Sequence, residues 1–140
     1  MLVTLKEDQA RALLAEKRLG RLGCIVDDKP YVVPINYYYD EGFIYSHSLP
    51  GLKISALRKN PHGCLQVDQI ATDLKWQSVL ALGRFEEITE TENRAKIINR
   101  LFQDHPKLTP VESQIVIDGG SPPVIAYRIR IERVTGVAEE

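Results

Sequence analysis

The residues best suited to chemistry lie between positions 46 and 53, in the stretch SHSLPGLK. Ser46, His47 and Ser48 place two hydroxyls and an imidazole at the end of an apolar, strand-like run, and Pro50 and Gly51 turn the chain. Lys53 then falls in the first turn of a helix-like run. The N-terminus of a helix is the positive end of its dipole and favours acidic residues, so a lysine there is out of place unless an anion sits between the two. The unpaired N–H groups of that first turn point to the same spot, and Gly51 lets backbone come close to a ligand. Together these are the parts of a phosphate cradle. The same residues also read as an ordinary helix start, with Ser48 as N-cap and Lys53 reaching into water. His47 taken alone reads as a partly exposed strand histidine.

A second irregularity is Pro34, in the middle of YVVPINYYY. Proline cannot donate to a β-ladder, so it belongs on an edge strand or at a bulge. Either this is a plain edge strand, or the freed backbone from Val33 through Pro34 and Ile35 to Asn36 faces a flat ligand. The tyrosines that follow read as packing on both faces of the strand.

Other chemistry is missing from the sequence. It contains no P-loop, no dinucleotide fingerprint after a strand and no nucleophile elbow. His47, His62 and His105 have no metal-ligand spacing among themselves or with the cysteines. The acidic pairs Asp27-Asp28 and Glu86-Glu87 read as solvated charge.

These groups need elements to position them. Thr4 and Glu7 fit a capping box for a first helix with Ala10, Leu13 and Leu14 inward, ended by Gly20. Strand runs at about 21–26, 31–39 and 43–48, separated by DDKP and DEG, read as an antiparallel meander. A short helix over 51–59 turns Ile54 and Leu57 inward and stops at Asn60-Pro61. Strands follow at about 63–69 and 75–88, where Gly83 marks a bulge or a close backbone approach. A second capping box, Thr89 and Glu92, starts a helix to about residue 103 with Ala95, Ile98, Leu101 and Phe102 inward. Residues 107–121 read as a polar loop. In the last strand Ile125, Tyr127, Ile129 and Ile131 share one face, and the alternation slips at Arg133 and Val134. About six strands and three helices in this order predict a mainly β, α+β domain over residues 1–140, an antiparallel sheet or barrel rather than a doubly wound fold.

Composition agrees with one globular domain. The chain has 140 residues, 44% hydrophobic and 26% charged, with a formal net charge of -1. That balance gives no basic field for nucleic acid. Cys24 and Cys64 sit in apolar runs and read as core thiols of a reducing compartment. The charged start MLVTLKEDQ is unlike a signal peptide, and no run reaches the ~20 apolar residues of a membrane span, so a cytoplasmic location is expected.

The ordered set GRLGCIVDDKPYVVPINYYYDEGFIYSHSLPGLKISALRKNP resembles the FMN-binding split β-barrel family of pyridoxamine 5'-phosphate oxidase-like proteins, and within it the nitroimidazole-resistance-protein-like branch. WQSVLALGRFEEI and the closing YRIRIERVTGV are similar to later strands of that family. The resemblance implies a six-stranded split barrel and a homodimer with FMN in a groove at the interface. It implies that Lys53 and the strand end of Ser46, His47 and Ser48 hold the FMN phosphate. It implies further that Val33, Pro34, Ile35 and Asn36 run along the isoalloxazine, that Ser78 and Val79 border it, and that His47 lies close to it as a possible proton donor. True pyridoxamine 5'-phosphate oxidases carry arginine where Tyr31 stands, and Leu52 replaces one residue of their basic phosphate pair. They also end in a basic, aromatic substrate segment that this sequence lacks. The resemblance therefore implies an FMN-dependent oxidoreductase of the nitroimidazole-resistance type rather than a vitamin B6 oxidase. A non-catalytic flavin store or sensor, or a split-barrel binder of haem or coenzyme F420, stands as the alternative.

Overall fold

The computed structural model describes residues 1–104 and 124–140. Among these residues the elements run β1 (Leu2–Thr4), α1 (Glu7–Glu16), β2 (Leu19–Val26), β3 (Lys29–Asn36), β4 (Tyr38–Asp40), β5 (Phe43–Ser48), α2 (Leu52–Lys59), β6 (His62–Thr72), β7 (Lys75–Ile88), α3 (Thr91–Asp104) and β8 (Ile125–Glu139). All strand pairs are antiparallel. The expected class is correct; the eight strands exceed the expected six because β1 and β4 are three-residue pieces.

The strand order is β3-β2-β6-β7-β8-β5-β4, with β1 added beside β8. This is not the simple meander expected for the first half of the chain. The β2–β3 and β4–β5 hairpins form as the turn residues require: Asp27, Asp28, Glu41 and Gly42 all have positive φ, the backbone of the tight turns that match strand twist. The hairpins nevertheless end on opposite edges of the sheet, because β5 pairs with the distant β8. Only Tyr37 separates the edge strand β3 from the other edge strand β4. The sheet must therefore curl until its two edges meet at that residue. Among the described residues no ladder closes it, which gives a split barrel.

Tyr37 is fully buried at this corner. Its hydroxyl donates to Leu14 O at 2.7 Å, and its N–H donates to Arg18 O at 3.0 Å. Burial pushes its phenol above the usual tyrosine range, and Arg18 opposes that shift. The barrel core packs Leu14 and Leu13 of α1, Ile54 and Leu57 of α2, and Leu22, Leu65, Val79 and Ile129 of the sheet. Ala10, Leu13, Leu14, Ile54 and Leu57 are buried as the helical periodicity predicts.

Several local expectations need correction. Thr4 does not cap α1; it pairs with Val137 in the β1–β8 ladder, and Lys6 is the N-cap, its N–H donating to the Gln9 side chain at 3.0 Å. Gly20 does not end α1, which stops at Glu16; it lies inside β2, where a Cβ would meet Leu65 at 2.8 Å. The Glu90 carboxylate, not Thr89, starts α3, accepting the N–H of Asn93 at 3.0 Å. The inner face of α3 is Ile97 and Leu101, while Ala95 is exposed. The expected loop over 107–121 and His105 lie outside the described residues.

The irregularity at Gly83 is both a bulge and a close approach. The β7–β8 register shifts between Leu82 and Gly83, and a Cβ at Gly83 would collide with the Arg130 carbonyl. The shift leaves Glu132 as the extra residue on β8, so inward positions change from Ile129 and Ile131 to Val134 and Ala138. This accounts for the slip in alternation at Arg133 and Val134.

Candidate functional site

The candidate site lies where the two sheet edges meet, and a hydroxyl spans the gap. Ser46 on β5 is fully buried, and its Oγ donates to Asn36 O at the end of β3, 2.6 Å away. Behind it, Tyr127 of β8 is fully buried with its phenol pushed up to about 12 by desolvation; the Ser46 hydroxyl works against that rise. Ser46 thus ties β5 to the end of β3 at the split.

Among the described residues, the helix start beyond it has no side-chain cap at its N-cap position. Gly51 is the N-cap of α2, with extended backbone and no side-chain hydrogen bond. Ser48, the capping alternative, instead donates its Oγ to Leu49 O at 2.7 Å. The first turn of a helix presents N–H groups suited to an anion. Lys53 is half-buried rather than extended into solvent. Its position is visible in its effect on β2: burial and then Cys64 raise the pKa of the Cys24 thiol, while the Lys53 ammonium lowers it. The cation therefore lies within electrostatic reach of β2, in the first turn of α2.

The remaining expected residues divide. β3 is an edge strand, with Pro34 opposite Arg21, so the proline removes no ladder donor. Pro34 and Asn36 are exposed and Val33 is half-buried, whereas the Ile35 side chain points into the core. Any contact by Ile35 with a ligand is through its backbone. The same holds for Val79, which is fully buried in the barrel. Ser78 lies on the outer face of β7, its Oγ accepting Gln66 Nε2 at 3.0 Å. β7 is three strands from β3 in the sheet order, about 14 Å at ~4.8 Å per strand. One chain does not bring Ser78 to Asn36 and Ser46. His47 faces away from Ser46, on the α3 side of β5, where its ring meets Phe102 edge-on at 5.3 Å. Residues missed from the sequence are Tyr127, which strand alternation marks only as core, and Arg21, whose guanidinium reaches Asp68 at 3.1 Å beside Gln66. An arginine at an outward strand position was the available signal.

The outer face carrying Arg21 and Ser78 is also unusually apolar. Leu19, Ile25, Val32, Ile70, Leu82 and Val137 are exposed on it. Among the described residues no cluster of His, Cys, Asp and Glu could hold a metal ion, and no helix is long and apolar enough to cross a membrane.

An antiparallel sheet that curls into a barrel left open between two edge strands defines the split β-barrel class. Within that class the chain belongs to the pyridoxamine 5'-phosphate oxidase family, whose model matches residues 6–138. It is 36% identical over 88 residues to an uncharacterized protein of Rhizobium meliloti; that match covers 63% of this chain and 58% of the relative, so it spans under two thirds of the relative's length. Among solved structures it is similar to an FAD-binding protein from Mesorhizobium loti, with TM-score 0.81 and 31% identity over 100% of this chain and 98% of the other. It shares its fold with a candidate 5-nitroimidazole antibiotic resistance protein from Bacteroides thetaiotaomicron, TM-score 0.73 and 18% identity over 100% and 92% of the two chains.

Proposed function

We propose that this protein binds a flavin, as FMN or a larger molecule containing it, and acts as a flavin-dependent oxidoreductase. The observation that carries this reading is the start of α2, with Gly51 as N-cap and the half-buried Lys53 in its first turn, which follows the Ser46–Ser48 strand end directly in the chain. The donor set suits a phosphate monoester: backbone N–H groups at a helix N-terminus and an ammonium. The family membership and the FAD-binding relative from Mesorhizobium loti support a flavin as the bearer of that phosphate. A bound flavin would supply hydride and electron transfer. The protein's part is to hold the phosphate at Lys53, keep the backbone of Val33 to Asn36 along one edge of the ring, and exclude water there.

The reading includes a second copy of the chain. Ser78 borders the same flavin only if it comes from a partner, and the exposed apolar outer face gives a homodimer a surface to bury. The test is the visible spectrum of the pure protein with FMN titration of the apoprotein. Flavin absorbance and saturable fluorescence quenching are expected; neither appearing ends the proposal.

One observation favours a non-catalytic carrier. His47, the proton donor that the family resemblance implies, packs against Phe102 of α3. Anaerobic reduction of the bound flavin, followed by nitro compounds, quinones or oxygen, separates the two. Rapid reoxidation by one of these marks an enzyme, and uniformly slow reoxidation marks a carrier.

A further inference from the structure

A groove of about 360 Å³ lies between α3 and the edge of the sheet formed by β4, β5 and β8. Its size falls within the ~300–1,000 Å³ of pockets that hold small molecules. It is separate from the split. Side chains alternate along a strand, so Tyr45 of β5 lines this groove while its neighbour Ser46 is buried on the other face. The floor is aromatic and apolar: Tyr38 and Tyr45 stack with ring centroids 4.9 Å apart, and Ile97 of α3 packs on Tyr38 beside them. The rim is cationic. Asn93, Lys96 and Arg100 recur at helical spacing on the side of α3 toward the groove, and Arg128 of β8 joins them.

The neighbouring acids do not balance these cations. Asp40 approaches Arg100 at 3.7 Å, beyond hydrogen-bond length. Glu86 is shared between Arg128 at 2.8 Å and Arg130 at 3.4 Å. Asp104, which also acts on Tyr38, is paired with Arg18 at 3.4 Å. Among the described residues Lys96 has no ion pair. An independent sign of a ligand is the Tyr38 hydroxyl. Tyr38 is only 5% exposed, yet among the described residues its hydroxyl makes no hydrogen bond. A buried hydroxyl left without a partner is costly, so this one is set to meet a polar group that enters the groove. Burial pushes its pKa up to about 12, with Arg100 opposing the rise, so at neutral pH it is a donor. The Arg100 guanidinium stands 4.0 Å from the centre of the same ring, which holds the cation and the hydroxyl together. A donor hydroxyl, a guanidinium and an ammonium beside an aromatic floor suit a flat ring that carries a carboxylate, because guanidinium and carboxylate match in geometry and rings pack on tyrosine.

We propose that the groove between α3 and the sheet edge binds a small aromatic carboxylate, its ring against Tyr45 and Ile97 and its carboxylate held by Arg100, Lys96 and the Tyr38 hydroxyl. The site is distinct from the proposed flavin site and does not depend on that reading.

The experiment titrates the full chain with 2-naphthoate by isothermal titration calorimetry, with and without saturating FMN. Saturable one-to-one binding is expected, unchanged by FMN. The neutral 2-naphthylmethanol should bind about tenfold or more weaker, the scale of one hydrogen bond to a charged group. Lys96→Gln/Arg100→Gln, at two exposed helix positions, should weaken naphthoate by about tenfold or more on the same scale. Tyr38→Phe should weaken it by about three- to tenfold, the scale of a neutral hydrogen bond. Melting temperatures beside the parent's check that both variants fold. Arg133→Gln removes a positive charge from an exposed position outside the groove and should leave binding unchanged. No saturable binding, equal binding of the alcohol, or an unchanged affinity in Tyr38→Phe overturns the site. So does a loss in Arg133→Gln as large as in the double variant, which would mark attraction to the protein's charge at large. Displacement of naphthoate by FMN would move the carboxylate to the flavin site and overturn the separate groove, while naphthoate binding in a protein that binds no flavin would uphold the groove and end the flavin reading alone.

Discussion

The Ser46 hydroxyl is a severe test of how the split is held. Ser46→Ala removes one oxygen from a fully buried position and leaves no cavity of note, so the change isolates the hydrogen bond to Asn36 O at 2.6 Å. That bond is the polar tie between β5 and the end of β3, and its oxygen is also the polar neighbour of the buried Tyr127 phenol. Losing a buried donor whose partners stay behind costs about 1–3 kcal/mol. With a urea m-value on the order of 2 kcal/mol/M for a domain of this size, the unfolding midpoint should fall by about 0.5–1.5 M at unchanged m. Circular dichroism in urea at one fixed protein concentration measures it. Ser48→Ala is the control, because the half-exposed Ser48 hydroxyl donates only to the adjacent Leu49 carbonyl; its midpoint should move by less than about 0.3 M. Equal shifts for the two variants, or none for Ser46→Ala, would refute the claim that this hydroxyl fastens the two edges.

Other expectations follow from the same contacts. Lys53→Ala should cost about 1.5–3 kcal/mol of FMN affinity, the size of a hydrogen bond to a charged group, and leave riboflavin affinity unchanged because riboflavin has no phosphate; equal losses for both ligands would place the lysine elsewhere. Gly83→Ala should destabilise by about 3 kcal/mol or prevent folding, read by thermal melting, because the new methyl would meet the Arg130 carbonyl at the bulge. Stability should fall as the pH climbs from about 10 through about 12, where Tyr38 and Tyr127 titrate in the folded chain. Their folded pKa values are raised above the ordinary value of 10.0, so the unfolded chain gives up its protons first, and the stability present below pH 10 is lost through that window. Tyr127→Phe should remove about 2–3 kcal/mol of that loss, measured as the change in urea midpoint between pH 9 and pH 12.

What the sequence reveals is set by how local each cause is. The hairpin turns at Asp27-Asp28 and Glu41-Gly42 are legible because two residues decide them. The inward stripes of α1 and α2 are legible because each repeats within a few residues. The helix starts misled for the opposite reason. Thr4 has the right side chain for a cap, but Val137, far along the chain, claims it for a ladder. Likewise Ala95 fits a helical stripe on α3, yet Ile97 and Leu101 are buried because Tyr38 and Ala126 form the surface beneath them. The partnership of β5 with β8 has no local signature at all, and it turns an expected meander into a split barrel. At the candidate site, Lys53 and the Ser46–Ser48 strand end stand out in the sequence as a misplaced charge and clustered donors because their residue types and spacing are local. The inward direction of Ile35 and Val79, and the packing of His47 on α3, depend on which sheet face meets which helix.

The corner at Tyr37 also bears on why the proposed site calls for a second copy. The two edge strands meet through one residue, so the opening beside Ser46 is a slot, and the sheet's own ladder places Ser78 about 14 Å away on the outer face. No small movement within one chain closes that distance, because every intervening strand is paired. A partner packed on the exposed apolar face can supply its own Ser78 across the interface. Flavin affinity is then linked to protein concentration, because binding and dimerisation share a free energy. Titrations over a hundredfold range of protein should show weaker binding on dilution, and sedimentation should show flavin raising the dimer fraction. A monomer that binds flavin with the same affinity throughout that range would remove the partner from the site, and Ser78 with it.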